Sequence, residues 1–342
     1  MALRIAINGL GRIGRAFLRH VETEKPEGVE IVAVNDLGDA ENFAYLLRRD
    51  TVYGPAPFPV SFKEGALVVN GRDVKFLSEK EPAKLPWKDL KIDIVIESTG
   101  IFESYEKAKA HLDAGAKRVV ISAPAKGEPP SGVSGAMVLM GVNEEALKTC
   151  TISSNASCTT NAVAPLIAIL DEKLGIDKAL LNTVHAYTGT QALVDGPAKK
   201  DFLRGRAAAQ NIIPSSTGAA SAVGAVMGHL SGKFDGIAIR VPVAVGSVAD
   251  ITFIAKRDTT REEVNDILRR AALEPRWKGI FRVSDEPLAS SDIIGDTHAS
   301  IADLSLTRVI GNLVKVFGWY DNEMGYSQTL LRHVMETGKY IT

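Results

Sequence analysis

The sequence predicts an α/β protein that consists of a doubly wound (Rossmann) parallel-sheet domain and an α+β domain with a mostly antiparallel or mixed sheet. Three observations support this. β-type and helical runs alternate through the first 150 residues, a glycine-rich turn joins the first strand to the first helix, and the second half holds long β-type runs with few helices between them. At roughly 150 residues per domain, the length of 342 residues also predicts two domains.

A strand–turn–helix–strand unit opens the chain. The β-type run Leu3–Asn8 is followed by the glycine-rich turn, the helical stretch Arg12–Glu24 and a second β-type run over 29–36. Such a unit within about 35 residues is typical of a parallel sheet. A hairpin with Asn70-Gly71 as its turn follows. A second unit is then predicted, with its strands and helix at 92–97, 104–114 and 118–122, and a short strand over 138–141.

The second half has a different character. A long segment, 187–210, carries Gly, Lys, Arg and Asp with weak periodicity, and it predicts a long ordered loop of the kind that is usually functional. Around it, helices are predicted over 160–170, 260–272 and 323–336, and strands over 180–185, 236–256 and 309–320.

Composition and charge exclude several classes of protein. The chain has 40 Lys plus Arg against 41 Asp plus Glu, so a general nucleic-acid binder with a basic excess is not expected. No run of about 18 apolar residues appears, and the N-terminus does not read as a secretory signal, so neither a membrane span nor secretion is expected. With only two cysteines, Cys150 and Cys158, the chain is not a disulfide scaffold, and we expect it in the reducing cytoplasm.

The glycine-rich turn has the spacing of a dinucleotide-binding site. Gly9, Gly11 and Gly14 form G-x-G-x-x-G between a predicted strand and a predicted helix, where helix N–H groups can bind a pyrophosphate. Alone, these glycines would equally fit a turn that binds no nucleotide. Asp36 ends the next strand, 22 residues beyond Gly14, where a carboxylate can bind ribose hydroxyls. Because that carboxylate repels a 2′-phosphate, the sequence predicts NAD rather than NADP.

Cys158 is the candidate nucleophile. It lies at the start of a predicted helix, whose N-terminus favours a thiolate, and His185 at the end of a predicted strand is its candidate base. The alternative for any single cysteine is an inert, buried thiol, and we expect that of Cys150. Neither cysteine belongs to a C-x-x-C pair and no histidine cluster accompanies them, so no metal site is expected.

Several segments together identify a family resemblance. The blocks INGLGRIGR, SNASCTTN, HAYTGTQ, STGAA, RVP and WYDNEMGYS resemble the phosphorylating glyceraldehyde-3-phosphate dehydrogenases, and the resemblance runs from Arg4 to the C-terminal helix. It implies that Cys158 forms a thiohemiacetal and then a thioester, that His185 accepts the hydroxyl proton, and that inorganic phosphate releases an acyl phosphate. It further implies a role in glycolysis or gluconeogenesis. The implied domains are a dinucleotide-binding domain, 1–157 joined by the helix 323–342, and a catalytic domain, 158–322.

The resemblance also assigns candidate binding residues. Thr188 and Arg240 would hold the substrate phosphate, and the attacking phosphate would be held by Ser157, Thr159, Thr217 and Gly218. Taken without the resemblance, Thr217-Gly218 would read as a helix cap and Arg240 as a strand residue with a solvated head. Cofactor contacts are implied for Gly9, Gly11, Arg12, Ile13, Gly14, Asp36, Ser98, Thr99, Ser122 and Asn322. For Asn322 a helix N-cap is the alternative, and it could serve as both. The segment 187–210 resembles the family's S-shaped interface loop, which implies a homotetramer, and Pro197 in it resembles the NAD-preferring members.

Some positions depart from the commonest family pattern. Ala162 stands where many members carry a second cysteine, Ser221 replaces a frequent lysine, and the run 241–247 lacks the usual Thr-Pro-Asn portion. Two other functions stay open at this point. One is an erythrose-4-phosphate dehydrogenase, which shares the cysteine and histidine but ends at the acid. The other is a non-catalytic, moonlighting NAD-binding protein.

Overall fold

The chain forms two compact units. A computed structural model describes residues 2–198 and 201–341. The first unit comprises Met1–Ser157 and Ser327–Thr342, and the second comprises Cys158–Tyr326. No helix in the described part of the chain is long and apolar enough to cross a membrane.

The first unit is built on a nine-stranded sheet. Its strand order is β10-β11-β9-β8-β1-β2-β7-β6-β5, in which β6 is antiparallel to both of its neighbours and all other pairs are parallel. The strands are β1 Leu3–Asn8, β2 Val29–Asn35, β5 Val60–Lys63, β6 Ala66–Val69, β7 Arg72–Leu77, β8 Ile94–Glu97, β9 Arg118–Ile121, β10 Gly135–Met137 and β11 Ile152–Ser154, with a separate pair β3 Arg49–Asp50 and β4 Gly54–Pro55. The helices are α1 Arg12–Glu24, α2 Ala40–Arg48, α3 Tyr105–Asp113 and the C-terminal α7 Met324–Gly338.

Apolar periodicity explains why α1 covers this sheet. Phe17, Leu18 and Val21 lie on one face of α1 and belong to the same buried cluster as Ile5 and Ile7 of β1. Residues three and four apart share a helix face, and alternate residues share a strand face, so both elements bury their apolar sides together. This packing holds the N-terminus of α1 at the carboxyl end of β1.

The second unit contains a mixed sheet of eight strands. Its order is β13-β14-β12-β15-β19-β17-β16, with β18 also paired to β19; the pairs β12–β14 and β16–β17 are parallel and the others are antiparallel. The strands are β12 Ile176–Ala186, β13 Ile213–Ser216, β14 Phe234–Val241, β15 Ser247–Ala255, β16 Phe281–Ser284, β17 Ser300–Asp303, β18 Arg308–Ile310 and β19 Leu313–Tyr320. The helices are α4 Cys158–Leu174, α5 Ala219–Val226 and α6 Arg261–Ala272. The predicted fold class is confirmed in both units.

Helix α4 is the central helix of the second unit. It packs on β15, β17 and β19, and nearly all of its side chains are buried. A helix that is apolar on all sides is typical of a protein interior. Since α4 begins at Cys158, the candidate nucleophile starts the most deeply buried helix of the unit.

Three predicted strands differ in the structure. The run 236–256 is two strands, β14 and β15, because Pro242 lacks an N–H group and Gly246 has a φ of +97°. The run 309–320 is β18 and β19, which turn at Gly311 with a φ of +60°. The strand predicted over 138–141 lies instead at Gly135–Met137.

The predicted loop over 187–210 holds one short helical element in its described part, the 3-10 turn Phe202–Gly205. The loop bonds to itself: Ala192 N–H donates to the Arg204 carbonyl over 3.0 Å, and Gly196 N–H donates to the Gly205 carbonyl over 2.8 Å. Residues 199 and 200 of the prediction lie outside the described residues.

Candidate active site

Cys158 follows a sharp turn in the chain. Strand β11 ends at Ser154, and Ala156, with a φ of 55°, adopts the left-handed conformation that side-chain-bearing residues rarely occupy. The Ser154 hydroxyl oxygen accepts the Ala156 N–H over 3.0 Å, which holds the turn in place. Two residues later Cys158 is the first residue of α4, and the backbone N–H groups of Cys158 and Thr159 lie against its sulfur.

His185 faces this thiol from the end of β12. Its Nε2 lies 3.4 Å from Cys158 Sγ, and its Nδ1 lies 2.6 Å from the Ala186 carbonyl oxygen. A carbonyl can only accept, so Nδ1 carries the proton and the neutral ring presents an unprotonated Nε2 to the thiol. His185 can therefore accept a proton from Sγ.

Arg240 lies beside His185 because of strand register. His185 of β12 pairs directly with Arg240 of the parallel strand β14. Arg240 Nη1 is 2.8 Å from His185 Nδ1 and 3.1 Å from the Ala186 carbonyl oxygen. The guanidinium can only donate, so Nδ1 cannot accept from Arg240 and donate to the Ala186 carbonyl at the same time. The carbonyl contact is the shorter of the two and takes the ring proton, so the guanidinium donates to the Ala186 carbonyl and its charge lies directly against the imidazole.

Burial and this charge determine the protonation of the pair. Burial raises the pKa of the Cys158 thiol, while Arg240 and hydrogen bonds from Thr159 oppose that rise. Burial and the Arg240 charge lower the pKa of His185 to about 3. Both directions favour an uncharged thiol–imidazole pair, in which His185 is ready to act as a base at neutral pH.

Tyr320 supports the pair, and the sequence analysis did not identify it. Its hydroxyl lies 2.8 Å from Thr159 Oγ1 and 2.7 Å from Thr183 Oγ1, and its ring meets His185 edge-on at 5.9 Å. Burial raises the pKa of Tyr320, so it stays a phenol. The only sequence signal is its place two residues before Asn322, and the contact itself depends on the position of β19.

The remaining predicted phosphate ligands have local partners. Thr188 Oγ1 lies 3.0 Å from Thr190 Oγ1, and Thr217 Oγ1 accepts the Ala219 N–H over 3.2 Å at the start of α5. Gly218 is the exposed N-cap residue of α5, and Ser157 directly precedes α4. The structure thus brings Arg240 and Thr159 to the Cys158–His185 pair and places Thr188, Thr217 and Gly218 in loops around β12 and α5.

The predicted dinucleotide residues surround a cavity in the first unit. Its volume is about 610 Å³, and Gly9, Gly11, Asp36, Ser98 and Thr99 are among its lining residues. A Cβ on Gly9 would lie 2.7 Å from the Ser98 backbone, whereas a Cβ on Gly11 would meet no atom within 4 Å. The turn is therefore closed at Gly9 and open at Gly11, as the approach of a pyrophosphate requires.

Asp36 and Ser98 fix this turn. The Asp36 carboxylate accepts the Leu10 N–H over 2.7 Å and the Gly38 N–H over 3.1 Å. The Ser98 hydroxyl donates to the Gly9 carbonyl over 2.7 Å. A carboxylate at the cavity rim and helix N–H groups at its floor match an adenosine ribose and a pyrophosphate, so these residues fit a bound dinucleotide.

The other predicted cofactor residues lie around the turn. A Cβ on Gly14 would lie 2.2 Å from the Gly9 carbonyl oxygen, so Gly14 serves close packing of the turn on α1. Arg12 and Ile13 are in the first turn of α1, and the Arg12 guanidinium forms an ion pair with Asp50. Ser122 follows β9, and its N–H donates to the Glu97 carbonyl over 2.9 Å.

Asn322 belongs to the second unit, where it is buried. Its Oδ1 accepts the Gly246 N–H and the Ser247 hydroxyl, each over 3.1 Å. The N–H groups of Glu323 and Met324 are instead accepted by Asp321 Oδ1, each over 2.9 Å. Asp321 is therefore the capping residue of α7, and the alternative helix-cap function considered for Asn322 is wrong.

Comparison with known proteins agrees with these two units. Residues 3–105 match the family model of the glyceraldehyde 3-phosphate dehydrogenase NAD binding domain, and residues 157–322 match that of the C-terminal domain. A glyceraldehyde-3-phosphate dehydrogenase of Mycobacterium avium is 49% identical over 345 residues, with 99% of each chain covered. That of Mycolicibacterium smegmatis is 48% identical over 346 residues with the same coverage, and glyceraldehyde-3-phosphate dehydrogenase 1 of Streptomyces arenae is 50% identical over 333 residues, 97% of each chain. With relatives this similar over nearly its whole length, the chain belongs to the glyceraldehyde-3-phosphate dehydrogenase family.

Proposed function

We propose that this chain catalyses the NAD-dependent, phosphorylating oxidation of glyceraldehyde 3-phosphate to 1,3-bisphosphoglycerate, as a step of glycolysis or gluconeogenesis. The observation that carries the proposal is the Cys158–His185 pair, with Sγ 3.4 Å from an unprotonated Nε2. A thiol next to a base at a helix N-terminus is the arrangement that covalent catalysis on a carbonyl needs. The family membership of both units supports the same reaction.

The first step is the addition of the thiol to the aldehyde. Cys158 Sγ attacks the carbonyl carbon, its proton passes to His185 Nε2, and the resulting alkoxide takes that proton back to give a thiohemiacetal. The N–H groups at the start of α4 stabilise the sulfur as it becomes a thiolate. Arg240 contributes in the same direction, since its positive charge lowers the energy of a thiolate beside it.

The second step is oxidation to a thioester. His185 Nε2 removes the hydroxyl proton of the thiohemiacetal as hydride leaves the same carbon. NAD, when bound, supplies the hydride acceptor. The Ala186 carbonyl accepts a hydrogen bond from Nδ1 throughout, so it keeps the ring oriented and stabilises the imidazolium that forms.

The third step is transfer of the acyl group to phosphate. An oxygen of inorganic phosphate attacks the thioester carbon, the C–S bond breaks, and Cys158 leaves as a thiolate that regains its proton from His185. We assign the attacking phosphate to Ser157, Thr159, Thr217 and Gly218, and the substrate phosphate to Thr188 and Arg240. Hydroxyls, a backbone N–H at a helix start and a guanidinium are suitable ligands for these anions.

NAD is the proposed cofactor, and Asp36 supports its preference over NADP. The Asp36 carboxylate is held at the cavity rim by two backbone N–H groups, where a 2′-phosphate would be repelled. We assign the pyrophosphate to the turn at Gly9, Gly11 and Gly14 with Arg12 and Ile13 of α1. Further contacts are assigned to Ser98, Thr99, Ser122 and Asn322.

We also propose that the protein works as a cytoplasmic homotetramer. The resemblance of 187–210 to an interface loop supports the tetramer, and the thiol chemistry of Cys158 suits a reducing compartment.

The test is NAD reduction with glyceraldehyde 3-phosphate, with and without inorganic phosphate. We expect phosphate-dependent turnover for the wild-type chain and no oxidation by Cys158→Ala, which should still bind NAD. Cys150→Ala is the matched control: Cys150 is buried in the first unit, and its replacement should retain turnover. Phosphate-independent formation of the acid would favour an aldehyde dehydrogenase of the erythrose-4-phosphate type. Absence of turnover by a protein that binds NAD would favour a binding role.

A further inference from the structure

A buried polar cluster lies under the dinucleotide cavity, and apart from Thr99 the proposed function does not use it. We name it the Glu97 cluster; it consists of Asn8, Trp87, Glu97, Thr99 and His111. Glu97 is 2% exposed, and His111 and Trp87 are fully buried. Burying a carboxylate without a cation costs several kcal/mol unless hydrogen bonds replace its water. An apolar side chain would fill the same space without this cost, so the presence of an acidic side chain at position 97 needs an explanation.

The protonation of His111 follows from its neighbours. Trp87 Nε1 can only donate, and it lies 3.0 Å from His111 Nδ1, so Nδ1 is an acceptor. The neutral ring then carries its proton on Nε2, which lies 3.0 Å from Glu97 Oε2. Trp87 therefore sets the tautomer in which His111 donates to Glu97.

The same oxygen of Glu97 accepts a second donor. Asn8 Nδ2 lies 2.6 Å from Glu97 Oε2. The orientation of the Asn8 amide is defined, because its Oδ1 accepts from Asn35 Nδ2 over 2.7 Å. Asn8 ends β1 and Asn35 ends β2, so the cluster ties the carboxyl ends of these strands to that of β8.

The other oxygen of Glu97 holds Thr99. Glu97 Oε1 accepts the Thr99 N–H over 2.8 Å and the Thr99 hydroxyl over 2.5 Å. The Thr99 oxygen in turn accepts the Ile101 N–H over 3.1 Å. Both oxygens of Glu97 are therefore hydrogen-bonded, to the N–H groups of Thr99, Asn8 and His111 and to the Thr99 hydroxyl. Glu97 thus holds both cluster residues that line the cavity, Thr99 and Asn8.

We propose that Glu97 is a positioning residue for the dinucleotide: its buried carboxylate holds Thr99 and Asn8 in the arrangement that shapes the cavity for NAD. This rests on the proposed function. The strand ends that Glu97 ties together carry the predicted cofactor residues, since Gly9 follows Asn8 and Asp36 follows Asn35. Loss of the carboxylate lets these strand ends move, and NAD binding weakens while the chemistry of Cys158 is unaffected.

Glu97→Gln is the decisive variant. An amide has the same shape, but its NH2 group must face either the Thr99 donors or the donors of Asn8 and His111. In either orientation at least one donor is then opposed, the Thr99 N–H on one side or the N–H groups of Asn8 and His111 on the other, and a buried unsatisfied donor destabilises the structure around it. We expect the Kd and KM for NAD to rise about tenfold or more, with kcat per active site changed less than about twofold.

Glu22→Gln is the matched control. Glu22 is also 2% exposed and lies in the same unit, where it pairs with Arg72 and Asn70. It is near the C-terminal end of α1, the end away from the glycine-rich turn. We expect this variant to lose stability and to bind NAD with wild-type affinity.

Alkylation of Cys158 by iodoacetamide in the absence of NAD supplies the independent readout. A merely structural role for Glu97 would lower the fraction of chains whose Cys158 reacts at the wild-type rate and leave the KM of the remaining sites unchanged. Our proposal requires the opposite result: a full thiol titre with a raised KM. Should Glu97→Gln not fold, Thr99→Val, which removes only the hydroxyl bonded to Glu97, must raise the KM for NAD, and Thr99→Ser must restore it.

The outcomes separate this inference from the proposed function. If the wild-type protein binds no NAD by calorimetry, the proposed function fails. If the wild-type protein binds NAD and Glu97→Gln binds it equally well, only the positioning role is overturned. If Glu97→Gln does not fold, equal binding of NAD by Thr99→Val overturns the positioning role in the same way.

Discussion

His185 is held in one tautomer by a backbone carbonyl, and its base function follows from that single contact. Nδ1 donates to the Ala186 carbonyl, so Nε2 faces Cys158 Sγ as an acceptor. Arg240 beside the ring favours a thiolate and disfavours an imidazolium. In the resting protein the thiol and the imidazole are therefore both uncharged, and a proton passes from Sγ to Nε2 only during the reaction.

We predict that His185→Asn shifts thiol reactivity to higher pH. Asparagine can bond to the Ala186 carbonyl but has no group that takes a proton from Sγ, and burial already raises the pKa of Cys158. The rate of iodoacetamide alkylation should rise with pH as in the wild-type protein, but its curve should be shifted to higher pH. The hydride step should slow by roughly 10²-fold or more. His229→Gln, at an exposed histidine paired with Asp171, is the control. A superimposable alkylation profile would refute the pairing.

Residue identity could be predicted where the signal is local. Cys158, His185 and the three glycines could be predicted as site residues because each stands at a predictable strand or helix end. The contact of Arg240 with His185 depends on the register of β12 and β14, and that of Tyr320 with Thr159 and Thr183 joins elements far apart in the chain. The resemblance supplied Arg240 as a phosphate ligand, but neither spacing nor resemblance indicated its position against the imidazole.

At the scale of elements, the helices that the sequence predicted lie close to their observed bounds, but α2 and α5 were not predicted. Helix α4 was predicted over 160–170 and spans Cys158–Leu174, since its apolar run is long and Pro165 inside it does not end it. Strand β11 was missed because Ile152–Ser154 is too short and polar to show alternation. Its position nevertheless matters, because the left-handed Ala156 that directs the chain into α4 follows directly from it.

A buried histidine ties β11 to α7 within the first unit. His333 Nδ1 lies 3.1 Å from Asn155 Oδ1, and its Nε2 lies 2.7 Å from the Ser153 hydroxyl. The Asn155 oxygen accepts, so Nδ1 carries the proton and Nε2 accepts from Ser153. Burial lowers the pKa of His333 to about 3, because a second proton would place an unpaired charge in the interior.

This gives a pH dependence of stability with a definite sign. The folded pKa of His333 lies below the ordinary value of about 6.5, so its contribution is fully present above pH 6.5 and is lost as pH falls towards 3. His185 acts in the same direction. We predict that the urea midpoint of the wild-type protein decreases when the pH is lowered from 7.5 to 5. His333→Gln should be less stable than wild type at pH 7.5, but its urea midpoint should decrease less over the same range. An equal fall in both proteins would contradict the assignment, and His229→Gln should behave as wild type.

At the scale of the whole molecule, the exposed apolar side chains of one segment call for a partner surface. Leu193, Val194, Phe202 and Ile212 are 79%, 73%, 85% and 72% exposed, and they lie in or next to the loop 187–210. In its described part this loop is held by several backbone hydrogen bonds of its own, so it presents these side chains from an ordered frame. Apolar side chains gathered in this way on a surface mark an interface.

We therefore predict that the wild-type protein has a solution mass of four times the 36.6 kDa chain, and that Phe202→Glu gives smaller species. A charge at the most exposed of these positions would be buried without a partner in the assembly, which costs several kcal/mol at each copy. Leu273→Glu is the matched control, because Leu273 is 86% exposed at the end of α6, outside the loop, and should leave the mass unchanged. Light scattering coupled to size exclusion measures both variants at micromolar concentration.

A wild-type monomer, or a Phe202→Glu tetramer, would show that this loop does not carry the interface. If the smaller species keep the Cys158 thiol titre but lose NAD turnover, the loop serves assembly and catalysis together.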